Sequence, residues 1–222
     1  MNKTSLAITV PFLCLIFSPA YAQPELEMAI KGGLNAATLA EDNRVSRYGF
    51  SGGLSGDLEW PIIEHFLLGG QADLLYTPRG AKVIFGGEYL GESRQHYLDL
   101  MVTARPGVAL GPANVYLLLG GGLSLLLTAT KESASGAKEN ISGDLHRIDA
   151  ALLGGAGIAL HLPRCELGPF KCGTIFVEAR HDIGLLDTDA VNGGFKNRTS
   201  SLMLGLSFGM AGASAPSNQP IK

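Results

Sequence analysis

The chain has 222 residues, of which 46% are hydrophobic and 17% charged, with 30 Gly and a formal net charge of −3. So apolar a composition excludes a disordered chain and a coiled coil, and the slightly acidic balance supplies no basic surface for nucleic acid. The length fits one domain, or at most two small ones.

Lys3 precedes an apolar run from Leu6 to Phe17, and Ser18-Pro19 and Ala20-Tyr21-Ala22 come after it. A positive start, a short greasy core and a small-x-small site predict a secretory signal peptide over 1–22, cleaved before Gln23. The run is shorter than the ~20 residues of a membrane helix and is broken by proline. Cys14 leaves with this segment. The two remaining cysteines, Cys165 and Cys172, bracket Gly168-Pro169, and in an exported chain such a pair is expected to form a structural disulfide. A metal centre built from them and His161 would be one ligand short, so no metal or cofactor is expected.

Beyond residue 22, apolar residues recur at every second position. The first strand is expected near 25–35, where Leu26, Met28, Ile30 and Leu34 alternate with Glu27, Lys31 and Asn35. The second is the clearest: from Phe50 to Trp60, even positions are apolar or Gly and odd ones are Ser, Gly, Asp and Glu. A period of two means one greasy and one polar face. The same alternation carries Phe66 to Leu74, Leu98 to Ala104, Ile148 to Leu160, Ile175 to Ile183 and Leu202 to Met210. Adding the Gly-rich segment around 114–128, eight strands are expected. The mature chain holds no uninterrupted apolar stretch long enough for a helical span; the closest, Val115 to Leu127, is broken by Gly120-Gly121-Gly122.

Connection lengths alternate as well. Long polar connections are expected at 36–47, 77–94, 129–143 and 186–197, and shorter proline-containing ones at 61–64, 106–113 and 163–173. An even number of strands of about ten residues, with long loops on one side and short turns on the other, predicts an eight-stranded antiparallel up-and-down transmembrane β-barrel occupying 23–210, with 211–222 as a tail. The rival is a soluble lipocalin-like barrel, whose apolar face points inward around a ligand. The polar face here holds Asp57, Glu59, Asp73, Asp99, Arg105, Arg147, Asp149, Glu178 and Arg180 among Gly and Ser, which suits a narrow lumen. The other face is nearly continuous Leu, Ile, Val, Ala, Gly and Phe. Trp60 and Phe66 flank one short turn, and Phe50 and Tyr76 fall at the opposite ends of the same strands, as the two aromatic girdles of a barrel do.

Several segments resemble the bacterial outer-membrane β-barrel domain family, the small PorT-type or porin-family barrels. They are Ala29 to Asn35, Gly69 to Tyr76, Tyr97 to Leu100, Gly154 to Ile158, Val177 to Arg180 and the closing Leu204 to Met210. The resemblance implies an eight-stranded barrel in the bacterial outer membrane and carries over no catalytic set. It implies outer-membrane lipid, lipopolysaccharide and the outer-membrane assembly machinery as partners. Barrels of this kind commonly end on an aromatic, whereas Ala211 to Lys222 extend past Phe208 here.

An eight-stranded barrel is just wide enough for side chains. Asp57, Glu59, Asp99, Arg105, Arg147, Asp149, Glu178 and Arg180 are therefore expected as a mutually neutralising lumen network, because a lone charge in a confined interior is costly. Gly120-Gly121-Gly122 and Gly154-Gly155-Ala156-Gly157 open no helix and fit no nucleotide fingerprint. His146, His181 and Ser200 share the lipid-facing parity, and a serine with a histidine base there would suit attack on a lipid ester. The His-x-Ser spacing of lipid A deacylase barrels is absent, so the expectation is a non-enzyme with a structural or surface-interaction role in the envelope. The polar loops would be its contact surface. A narrow passive channel is the alternative.

Overall fold

The computed structural model describes residues 25–39, 44–167, 170–187 and 196–210. The expected signal peptide at 1–22 and tail at 211–222 lie outside the described residues, as do the side chains of Cys165 and Cys172. Nine strands succeed one another: β1 (Glu25–Leu39), β2 (Arg44–Ile63), β3 (Phe66–Phe85), β4 (Glu88–Leu110), β5 (Ala113–Ser133), β6 (Lys138–Asn140), β7 (Ile148–Leu167), β8 (Phe170–Gly184) and β9 (Asn197–Met210). All pairings are antiparallel between chain neighbours except that β1 also pairs with β9 and β5 with β7. The β4–β5 pairing completes a ring of eight, and β6 is a short addition to the end of β5. Closure gives each of the eight long strands two partners, so the described ring has no edge strand.

Alternation then sorts the side chains. Leu34, Leu100, Val102, Leu119, Leu202 and Leu204 stand outside, each more than half exposed, whereas Met101, Leu118 and Met203 are buried within the ring. Leu67 and Leu75, which blur the pattern of the third strand, are buried on the inner side. The large apolar residues thus cover the exterior, and the lipocalin-like arrangement is overturned.

Two expectations about connections are corrected. Residues 77–94 are not a loop: β3 and β4 run on as a paired ribbon turned at Gly86-Gly87, whose φ values of 60° and 86° favour glycine. Likewise β1 extends to Leu39, β2 begins at Arg44 and β5 reaches Ser133. The polarity that suggests loops marks where both faces of the sheet become hydrophilic, and ladder hydrogen bonding needs no greasy face to continue. On the other side, the proline-bearing connections shrink to tight turns, such as Glu64-His65 and Gly111-Pro112, with Pro61 and Pro106 inside the strands.

The segment after β6 folds back. The Ile141 N–H donates to the Ala129 carbonyl at 3.0 Å, and the Ala129 N–H donates to Ser142 Oγ at 2.8 Å. Ile141 and Leu145 thereby pack on Tyr97, Leu126 and Ala129, over the long-loop end of the lumen.

Candidate functional site

Among the described residues the lumen holds three polar groups, packed between buried apolar side chains such as Met101, Leu118 and Phe176. The middle one joins opposite walls. β3 and β8 stand four strands apart in either direction around the ring, and Arg180 of β8 pairs with Asp73 of β3 across it. Lys31 Nζ of β1 lies 2.6 Å from Asp73 Oδ1 and 3.3 Å from Glu178 Oε2. Arg180 Nε is 3.5 Å from the same Glu178 oxygen. Gln71 Nε2 and the Tyr116 hydroxyl donate to Glu178 Oε1 at 3.3 and 3.1 Å. Two cations and two carboxylates, all with fully or almost fully buried side chains, neutralise one another, which is the condition under which such charges are tolerated away from water.

Toward the short turns, Arg105 Nη1 donates to Asp57 Oδ1 at 2.7 Å and Ser55 donates to Asp57 Oδ2 at 2.8 Å. The Arg105 guanidinium also lies over the Tyr116 ring, 4.0 Å from its centroid. Asn114 reaches Glu59 at 3.3 Å and His161 at 3.0 Å. A cavity of about 30 Å³ sits among these groups, the volume of a water or two.

Toward the long loops, Arg79 Nη2 holds both Asp99 oxygens at 2.9 and 2.8 Å and donates to Ser124 at 3.0 Å. Its Nη1 is 3.8 Å from Asp149, and its guanidinium covers the Tyr97 ring at 4.7 Å. Asn197 of β9 reaches across to the Tyr97 hydroxyl of β4 at 3.4 Å.

Among the residues singled out from sequence, the structure brings Asp57 to Arg105 and Glu178 to Arg180. It brings Asp99 and Asp149 to Arg79 and leaves Glu59 half-buried at the short-turn end. Arg147 is not among them. It is exposed one residue before β7 begins, with its carbonyl accepting the Leu126 N–H. Its parity matches Asp149, but parity orients a side chain only inside a ladder. Lys31 and Arg79 join the network without having been expected there. Lys31 carries the inward parity of its strand, whereas Arg79 sits in a polar stretch with the composition of a loop.

On the outer face, Phe50, Trp60, Phe66 and Tyr76 are exposed at 63, 37, 39 and 42%. Trp60 and Phe66 sit beside the short β2–β3 turn, whereas Phe50 and Tyr76, expected at the opposite strand ends, lie inside strands that run on to Arg44 and Phe85. Tyr76 stacks on His96, with centroids 5.7 Å apart. His181 and Ser200, opposite one another on β8 and β9, hydrogen-bond on the exterior, Nδ1 to Oγ at 2.9 Å. Among the described residues no carboxylate hydrogen-bonds this histidine, and the flanking N–H groups belong to the ladder, so the pair has no evident oxyanion hole. His146 is exposed outside the long strands.

A closed antiparallel ring with large apolar side chains outside and charges inside is a transmembrane β-barrel. Residues 21–190 match the family model described as "Outer membrane protein beta-barrel domain", and the chain belongs to that family. Among solved structures, it is similar to Ail, the attachment invasion locus protein of Yersinia pestis. The two are 20% identical with a TM-score of 0.42, over 83% of this chain and 98% of that one, and one Ail structure holds the heparin analogue sucrose octasulfate. It is also similar to Neisserial surface protein A, at 14% identity and a TM-score of 0.42, covering 82% of this chain and 97% of that one. A third similar structure is OprG from Pseudomonas aeruginosa, at 13% identity and a TM-score of 0.35, covering 83% of this chain and 95% of that one. No curated protein matches the chain.

Proposed function

We propose that the protein is a non-enzymatic integral barrel of the bacterial outer membrane, exported by a signal peptide over 1–22, with a closed lumen and a structural or surface-contact role in the envelope. The carrying observation is the set of ion pairs from Lys31 and Arg180 to Asp73 and Glu178, which spans the ring between opposite strands. Ions crossing the lumen would have to break a neutral, buried network, and the cavities that flank it among the described residues are small. The long-loop end, with the β3–β4 ribbon and the β5–β6 extension, is the surface left for partners. Outer-membrane lipid surrounds the apolar belt, and the assembly machinery inserts the folded chain.

The test is electrical. Purified protein inserted into a planar bilayer is expected to give no discrete conductance steps at moderate voltage. Reproducible steps scaling with salt would replace the closed-lumen reading by the narrow-channel alternative. Mass measurement of the membrane-inserted chain should place its N-terminus at Gln23.

A further inference from the structure

One stretch of the outer face changes character along a single strand. Leu204 and Leu202 of β9 stand outward and 58% exposed, and the next outward positions toward the long loops are Ser200 and then Arg198, with exposed Lys196 beyond. The register sets Ser200 beside Ala36 of β1 and His181 of β8, and Ala36 beside Tyr48 of β2, which is 77% exposed. Tyr48 and His181 therefore end one row of four strands, about 14 Å apart at the 4.7–4.9 Å strand spacing. Between them lie a methyl and a hydroxyl. Arg198 stands one step above, beside Thr38 and Ile183. No Asp or Glu occupies these rows, and among the described residues Arg198 has no ion-pair partner.

A second feature continues this row downward. Outward Gly32 carries no side chain, and the wall around it forms an apolar groove of about 560 Å³, lined by Phe50, Ile175, Leu204 and Leu206 among others. Leu204 is opposite Gly32 in the β1–β9 ladder and four residues from Ser200, a separation of about 13 Å along the strand. A cationic and hydroxylated head region thus stands above an apolar trough on the same strands.

We propose that this face binds one anionic glycolipid of the outer leaflet, its sugar phosphate held by Arg198, Ser200 and His181 and an acyl chain lying in the groove at Gly32. A guanidinium suits a phosphate because its planar donors match two phosphate oxygens. His181 already shares one ring nitrogen with Ser200, which fixes the imidazole and leaves the other nitrogen for the ligand. Tyr48 offers an amphipathic ring to the sugar at the interface. The site rests on the outer-membrane reading proposed above.

The test is native mass spectrometry of the purified full chain in detergent micelles with three probes: bisphosphorylated lipid A, the same lipid A with its phosphates removed, and phosphatidylcholine. The expected result is one tightly bound lipid A, with affinity reduced about tenfold by R198A, as for loss of one charged hydrogen-bonded contact, and by more on removal of the phosphates, after which R198A has no further effect. G32F should weaken lipid A binding while leaving its phosphate dependence intact. Excess inorganic phosphate should not displace the lipid; if it did, the groove would have no part and the proposal would fall. Equal binding of all three probes, or an R198A variant indistinguishable from wild type, would also overturn it. The barrel reading is scored separately in the same samples by heat-dependent gel mobility, which R198A and G32F should retain.

Discussion

Tyr116 of β5 lies directly opposite Gly157 of β7, and its ring occupies the space in which a side chain at 157 would begin. A Cβ there would fall 2.5 Å from Tyr116 Cζ. Phe176 of β8 bears the same relation to Gly205 of β9. Laid over glycines, the two rings fit inside the ring of strands beneath the central ion pairs, with the Tyr116 hydroxyl reaching Glu178. Gly157→Val is therefore expected to displace the ring and cost about 1–3 kcal/mol, the range for overpacking. Urea titration of the protein in micelles, monitored by Trp60 emission, measures this; an unchanged midpoint would contradict the packing described.

Asp73 answers two cations, Lys31 and Arg180. Replacing it with Asn leaves both short of a partner in a buried setting, where breaking one side of an ion pair costs about 3–5 kcal/mol. Arg147→Ala, at an exposed position, should stay within about 0.5 kcal/mol of wild type. The same titration compares the two, and a similar loss for both would refute the assignment of Arg147 to the surface.

The return of Ile141 and Leu145 onto Tyr97 and Leu126 gives a separate expectation. Ile141→Asp should release that segment and speed hydrogen exchange at the Ala129 amide, which now donates to Ser142. Because the central ion pairs are untouched, the variant should conduct no better than wild type in a planar bilayer.

The ladder sets Cys165 opposite Cys172 across the β7–β8 end. The disulfide expected from sequence is tested by alkylating the exported protein before and after reduction. A bridge predicts two labels only after reduction, and labelling without reductant would remove it. Closing so short a loop should add less than the roughly 3 kcal/mol of a fifteen-residue one.

Alternation made the strand cores legible. Phe50 to Trp60 shows both faces of β2 without any knowledge of its neighbours, because a period of two is a property of one strand. Which inward residues meet is set by closure instead. Asp73 and Arg180 are distant in sequence and become partners because β3 and β8 stand opposite in the ring. Arg79 was hidden for another reason: Thr77-Pro78 and Gly80 interrupt the hydrophobic period and look like a turn, although the β3–β4 ladder runs through them. His181 and Ser200 show the outward parity in the sequence, but their contact depends on the register of β8 against β9.

The central claim is that the apolar face looks at lipid around a closed ring of strands. The most direct measurement is the gel mobility of boiled against unboiled protein from carbonate-washed outer membranes. The account predicts that the protein stays in the membrane and that its unboiled form migrates differently from the boiled chain, as a barrel resistant to detergent would. Release by carbonate, with one mobility before and after boiling, would contradict it.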